Sequence, residues 1–138
     1  MIEITEKSIN PEDVVNQAKT KSSGCVVTYV GLIRDNSGGQ PVLSVEYQDS
    51  RKTAESRLRE IAGEIKNRWQ VNNIAICHRI GKLEVGDINL VIAIAATHRP
   101  DGFAACQYAV DSFKQKMPTD KKETYQDGSS HFEKSRME

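Results

Sequence analysis

Apolar and polar positions along this chain repeat with two periods. Ile2 and Ile4 alternate with polar neighbours, as do Leu43, Val45 and Tyr47, while Ile74, Ile76, His78 and Ile80 recur at every second position. That two-residue repeat predicts strands, the one at 43–48 half-buried. CVVTYVGLIR (25–34) and INLVIAIAA (88–96) are continuous apolar runs. They predict a mostly buried strand ending at Arg34 and a strand buried on both faces. The helical repeat runs through Val14, Val15 and Ala18, through Ala54, Leu58, Ile61, Ala62, Ile65 and Trp69, and through Cys106, Ala109, Val110, Phe113 and Met117. Asn10-Pro11-Glu12-Asp13 starts the first helix with a capping side chain, proline at the first position and two acids. Glu55–Arg59 and Glu64–Arg68 are spaced as favourable pairs on the second. Asp101 is placed to cap the third, and Pro118 stops it.

Between these elements, DNSGGQP (35–41) predicts a mobile surface loop, and its glycines complete no phosphate-binding motif. Asp127-Gly128 predicts a turn joining Glu123–Tyr125 to Ser130–Phe132 in a small C-terminal hairpin. The sum is one α+β domain over residues 1–138, with a mixed or antiparallel sheet, three main helices and a closing hairpin. The polar end, about 133–138, reads as a flexible tail.

Composition narrows the class. Hydrophobic residues at 38% and charged residues at 28% suit a globular protein, and 19 basic against 19 acidic residues give zero formal charge. Overall charge therefore supplies no grip on nucleic acid. Cys25, Cys77 and Cys106 lie far apart without metal-ligand spacing, which predicts buried free thiols, no metal site and a reducing compartment. With no leader or membrane-spanning run in view, the expectation is a cytoplasmic protein.

The chemistry-bearing residues concentrate in THRPDGFAACQYAVDSFKQKMPTDKKE (97–123). His98 and Arg99 follow the buried run 88–96, while Lys114 and Lys116 occupy the last turn of the third helix, where its dipole favours cations. Lys121 and Lys122 lie just beyond Pro118. By composition alone this is a solvated helix end. Arg34, leaving a strand beside a loop, suits either an anion or a local acid. His78 shares a face with isoleucines and reads as a hydrogen-bonded core histidine.

THR at Thr97, AAC at Ala104, DSFK at Asp111 and PTDKKE at Pro118 together resemble the signature of the MoaE family, the large catalytic subunits of molybdopterin synthase. VGLIR at Val30 and HRIGKLEVGD at His78 add to the resemblance, which spans about 24–128. One position departs from it: Asp120 stands where the family carries an aromatic residue.

The resemblance implies an α/β hammerhead fold. It also implies transfer of sulfur from the C-terminal thiocarboxylate of a small ubiquitin-like carrier, ending in Gly-Gly, to cyclic pyranopterin monophosphate, giving the molybdopterin dithiolene. It makes Lys114 and Lys121 catalytic, with Arg34, His98, Arg99 and, across a dimer, Arg136 binding substrate. No cofactor or metal is implied, and the assembly is a homodimer within a heterotetramer with no nucleic-acid or membrane partner. Four neighbouring lysines would disfavour each other's protonation. Two rivals remain at this stage: a non-catalytic pterin-, phosphate- or RNA-binding module, and a synthase homologue inactivated at Asp120.

Overall fold

The apolar repeats build two sheets rather than one. In a computed structural model, which describes residues 1–136, the elements are β1 (Ile2–Thr5), α1 (Pro11–Ala18), β2 (Cys25–Leu32), β3 (Asn36–Ser37), β4 (Gln40–Gln48), α2 (Ala54–Arg68), β5 (Val71–Arg79), β6 (Gly81–Glu84), β7 (Ile88–Ala96), α3 (Arg99–Lys116), β8 (Asp120–Tyr125) and β9 (Ser130–Glu133). The first sheet runs β1-β5-β7-β2, with β1 parallel to β5 and the other pairs antiparallel. The second is antiparallel, β3-β4-β8-β9, with β6 also on β4. The α+β class stands, with its strands divided between two sheets.

Strand alternation sorts the first sheet's side chains between two layers. Ile74, Ile76, Leu90, Ile92 and Ile94 pack with Leu58, Ile61 and Ile65 of α2 and with Ala105, Ala109 and Phe113 of α3. Ala75, Cys77, Val91 and Ala93 turn the other way, onto Val14 and Ala18 of α1. This is why 90–96 is apolar throughout. The Asn10 side chain accepts from Glu12 N at 3.0 Å, so the first helix starts as its sequence predicts.

Four local expectations are corrected. β2 is an edge strand, so Val30 and Leu32 stand exposed and the run is not mostly buried. Residues 35–41 form a hairpin, with Gly38 and Gly39 at φ 57° and 86° supplying the left-handed turn that pairs Ser37 with Gln40. Leu43 is the extra residue of a bulge between Val42 and Ser44, so it faces solvent while Val42, Val45 and Tyr47 enter the core. Asp101 lies in the first turn of α3, and the N-cap is His98, without a side-chain cap bond.

A smaller core of Ile33, Val42, Val45, Tyr47, Leu83 and Tyr125 fills the second sheet. The two cores meet at His78, whose ring lies 5.0 Å from Tyr47 on one side and 5.0 Å from Phe113 on the other, edge-on to both. All three cysteines are free thiols, and burial pushes Cys77 and Cys106 up to about 11.

Candidate functional site

α3 runs antiparallel to the strand before it, so its two ends carry the sequence's two groups of candidates apart. His98 and Arg99 sit exposed at its start, beside the end of β7. Lys114 is exposed in its last turn. Arg99 and Lys114 are fifteen helical positions apart, which at 1.5 Å per residue is about 22 Å. One chain does not bring them together.

At the Lys114 end, Met117 caps the helix in the left-handed region at φ 36°, Pro118 and Thr119 are buried, and β8 starts at Asp120. Lys121 therefore belongs to a strand, paired with Tyr47 on β4 and Glu133 on β9. Arg34 emerges, exposed, where β2 leaves its pairing with Ile88, at the same end of the first sheet. Arg136 reaches this end too: its backbone N–H donates to the Met117 carbonyl at 3.1 Å, and its guanidinium lies 3.2 Å from Glu133. The end of the chain is thus tied in cis at 135 and 136, while residues 137 and 138 of the expected flexible tail lie outside the described residues.

The four lysines do not form one cluster. Lys116 turns toward α2 and meets Glu64 at 3.3 Å. Burial alone would raise the Glu64 carboxyl, but hydrogen bonds from Tyr108 and Lys116 outweigh it and hold it below the ordinary carboxylate value. Glu64 therefore serves α3 rather than Arg68, which stacks on Tyr108 with its guanidinium carbon 4.7 Å from the ring centroid. Lys122 alternates to the opposite face of β8 from Lys121, across from Glu46.

Lys121 meets Glu123 on its own face at 3.9 Å, and its cross-strand partner Glu133 shares that face. Glu123 is itself held: its Oε1 accepts from Ser37 at 3.2 Å and from Tyr125 at 3.2 Å. Sequence reasoning missed this acid, although the i, i+2 spacing on a strand is a usable signal. The nearby Tyr47 hydroxyl accepts from Asn89 at 3.1 Å, and burial pushes it up to about 12, so it stays neutral.

Asp120, the departure from the signature, points away from Lys121. Its carboxylate accepts from the Ser50 hydroxyl at 2.6 Å and from Ser135 N at 2.8 Å. Those bonds hold it below the ordinary carboxylate value. A polar clasp on the C-terminal segment occupies the position of the aromatic. Among the described residues no cluster of His, Cys, Asp or Glu is arranged to hold a metal, and no helix is long and apolar enough to cross a membrane.

Residues 4–116 match the model of the family described as MoaE protein. The match stops before Lys121 and Arg136. The chain is 41% identical to a molybdopterin synthase catalytic subunit of Nostoc sp., over 92% of this chain and 78% of that protein. A crystal structure of molybdopterin synthase from Staphylococcus aureus superposes with a TM-score of 0.88 at 32% identity, covering 96% of each chain. A structure of the complex of subunits 1 and 2 of molybdopterin-converting factor from Helicobacter pylori shares the fold, with a TM-score of 0.75 at 14% identity over 98% of this chain and 91% of that one.

Proposed function

The chain belongs to the MoaE family, and from that premise we propose how its residues divide the work of molybdopterin synthesis. Its activity is that of a molybdopterin synthase catalytic subunit, a sulfur transferase. The rival reading as a binding module is not favoured by relatives that are synthases over most of the chain.

The sulfur donor is the thiocarboxylate of a small carrier subunit with a Gly-Gly end, and the acceptor is cyclic pyranopterin monophosphate. Both are anions, so the site must gather cations without trapping the product. Lys114, exposed at the end of α3, receives the carrier's tail. Lys121, beside Glu123, protonates or grips the pterin intermediate as sulfur adds. General acid–base help of this type is worth about 10²- to 10⁴-fold. Arg34 and Arg136 bind phosphate from the same end; Arg136, expected across a dimer, is assigned instead to its own chain's site, because its backbone is tied to Met117 and its guanidinium to Glu133. His98 and Arg99 bind substrate from a second copy, so a homodimer completes each of two sites, with a carrier at each. No resident cofactor or metal enters this scheme.

The observation that carries this reading is the helix itself: the chain reversal after α3 puts Lys114 and Lys121 at one end, while His98 and Arg99 stand about 22 Å away at the other. A site using all of them needs two chains. The test is single-turnover sulfur transfer from a thiocarboxylated carrier. Lys121→Ala should lose more than about 100-fold in rate with carrier affinity kept, and Lys114→Ala should lose both. An equimolar mixture of Lys121→Ala and His98→Ala/Arg99→Ala chains should recover activity through mixed dimers, each with one intact site. Equal small losses at both lysines, or no recovery on mixing, would overturn the assignment.

A further inference from the structure

We propose that His78 is a positioning residue for the two lysines: through its hydrogen bond to Thr119 it fixes the chain reversal between α3 and β8, and so the spacing of Lys114 and Lys121. The inference rests on the reading of those lysines given above, and its basis is the geometry around one buried ring.

His78 has no exposed surface, a costly place for an imidazole, and both its nitrogens are satisfied. Nδ1 lies 2.8 Å from the Asn89 carbonyl, which can only accept, so Nδ1 carries the hydrogen. Nε2 is then a bare acceptor, and the Thr119 hydroxyl, 3.1 Å away and itself buried, donates to it. A phenylalanine would fill the space between Tyr47 and Phe113 without a polar group. What the imidazole adds is a directed bond into the reversal.

Beyond the Asn89 carbonyl, the ring's three other contacts, Thr119, Tyr47 and Phe113, lead to the lysines. Phe113, edge-on at 5.0 Å, precedes Lys114 on α3. Tyr47, edge-on at 5.0 Å, is the residue paired with Lys121 across β4 and β8. Thr119 lies between them, two positions after Met117, whose φ of 36° and ψ of 81° put a non-glycine residue in a sparsely populated conformation. Such a reversal keeps its shape only if its surroundings hold it, and the His78–Thr119 bond is the polar contact that does so from inside. Burial also keeps the ring neutral, at about 4, so the acceptor persists at ordinary pH.

The test compares Thr119→Val, which keeps the shape and removes the hydroxyl, with Thr119→Ser, which keeps the hydroxyl. Single-turnover sulfur transfer is measured with saturating thiocarboxylated carrier and cyclic pterin, at a temperature where circular dichroism shows every variant folded. A misplacement of about 1 Å can cost about 10²-fold. Thr119→Val should therefore slow transfer about 10- to 100-fold with carrier affinity within about threefold, and Thr119→Ser should restore the rate. If Thr119→Val does not fold, the Thr119→Ser and Thr119→Ala pair, which differ only in the hydroxyl, reads the same bond. A wild-type rate in the variant lacking the hydroxyl, or equal losses in Ser and Ala, would overturn the proposal while leaving the lysines' roles intact. A wild-type chain that transfers no sulfur from a loaded carrier would instead sink the functional reading and this proposal with it.

Discussion

Replacing His78 with glutamine should remove one component of the pH dependence of stability. Glutamine can donate to the Asn89 carbonyl and accept from Thr119, but it does not titrate. In the folded chain burial outweighs the Asn89 bond and the distant Asp49 charge, lowering His78 from 6.5 to about 4. The unfolded chain therefore binds more protons between those values, and stability must fall as the pH falls through that window. Above 6.5 the contribution is fully present. A shift of roughly 2.5 units at 1.36 kcal/mol each makes the full effect about 3 kcal/mol, spread over the window. Urea unfolding from about pH 7.5 to about pH 4.5 should show the wild type losing about 2–3 kcal/mol more than His78→Gln. Taking the difference cancels groups common to both chains, including the Met1 amine and the carboxylates of Glu64 and Asp120, which are lowered in each. Parallel stability curves would show that the ring is not kept neutral by burial, and the donor assignment at Thr119 would fall with it.

Lys116→Ala should leave single-turnover sulfur transfer unchanged, since its amine is engaged by Glu64 on α2, and should lower the unfolding free energy from urea titration by no more than about 1 kcal/mol, the worth of a half-exposed ion pair. Asp120→Ala should cost about 1 kcal/mol at neutral pH by releasing Ser50 and Ser135. Because the folded carboxyl is lowered, that difference should persist above 3.8 and vanish below it, and equal slopes for the two chains in acid would contradict the clasp. Asp120→Trp restores the aromatic of the signature but loses the same two bonds, so its midpoint should fall as Asp120→Ala does. Gly24→Ala places a methyl group on the Thr97 carbonyl. It should destabilise by about 1–3 kcal/mol and shift the amide resonances of His98 and Arg99, whereas unchanged spectra would show that the two segments separate freely.

The repeats along the chain determined which segments are helices and strands, and for a local reason: a two-residue or helical repeat states which face is apolar wherever the segment is placed. Asn10 and Pro11 set the first helix, and the continuous run at 88–96 stated that both faces of β7 are covered. The signature residues stated the chemistry. What no linear pattern encoded was partnership across distance. That β2 is an edge strand, and that Leu43 drops out of the alternation at a bulge, depend on which strands pair and in what register. Lys114, Lys116, Lys121 and Lys122 look like one cationic cluster in sequence. Helix rotation, strand alternation and the carboxylates of Glu64 and Glu123 send them to different surroundings. His78 was legible as a core histidine because isoleucines flank it at alternate positions. Its link to Thr119, 41 residues on, exists because α3 folds back to bring the two cores together around that ring. Charge, period and composition are properties of a segment, whereas hydrogen-bond partners belong to the folded chain.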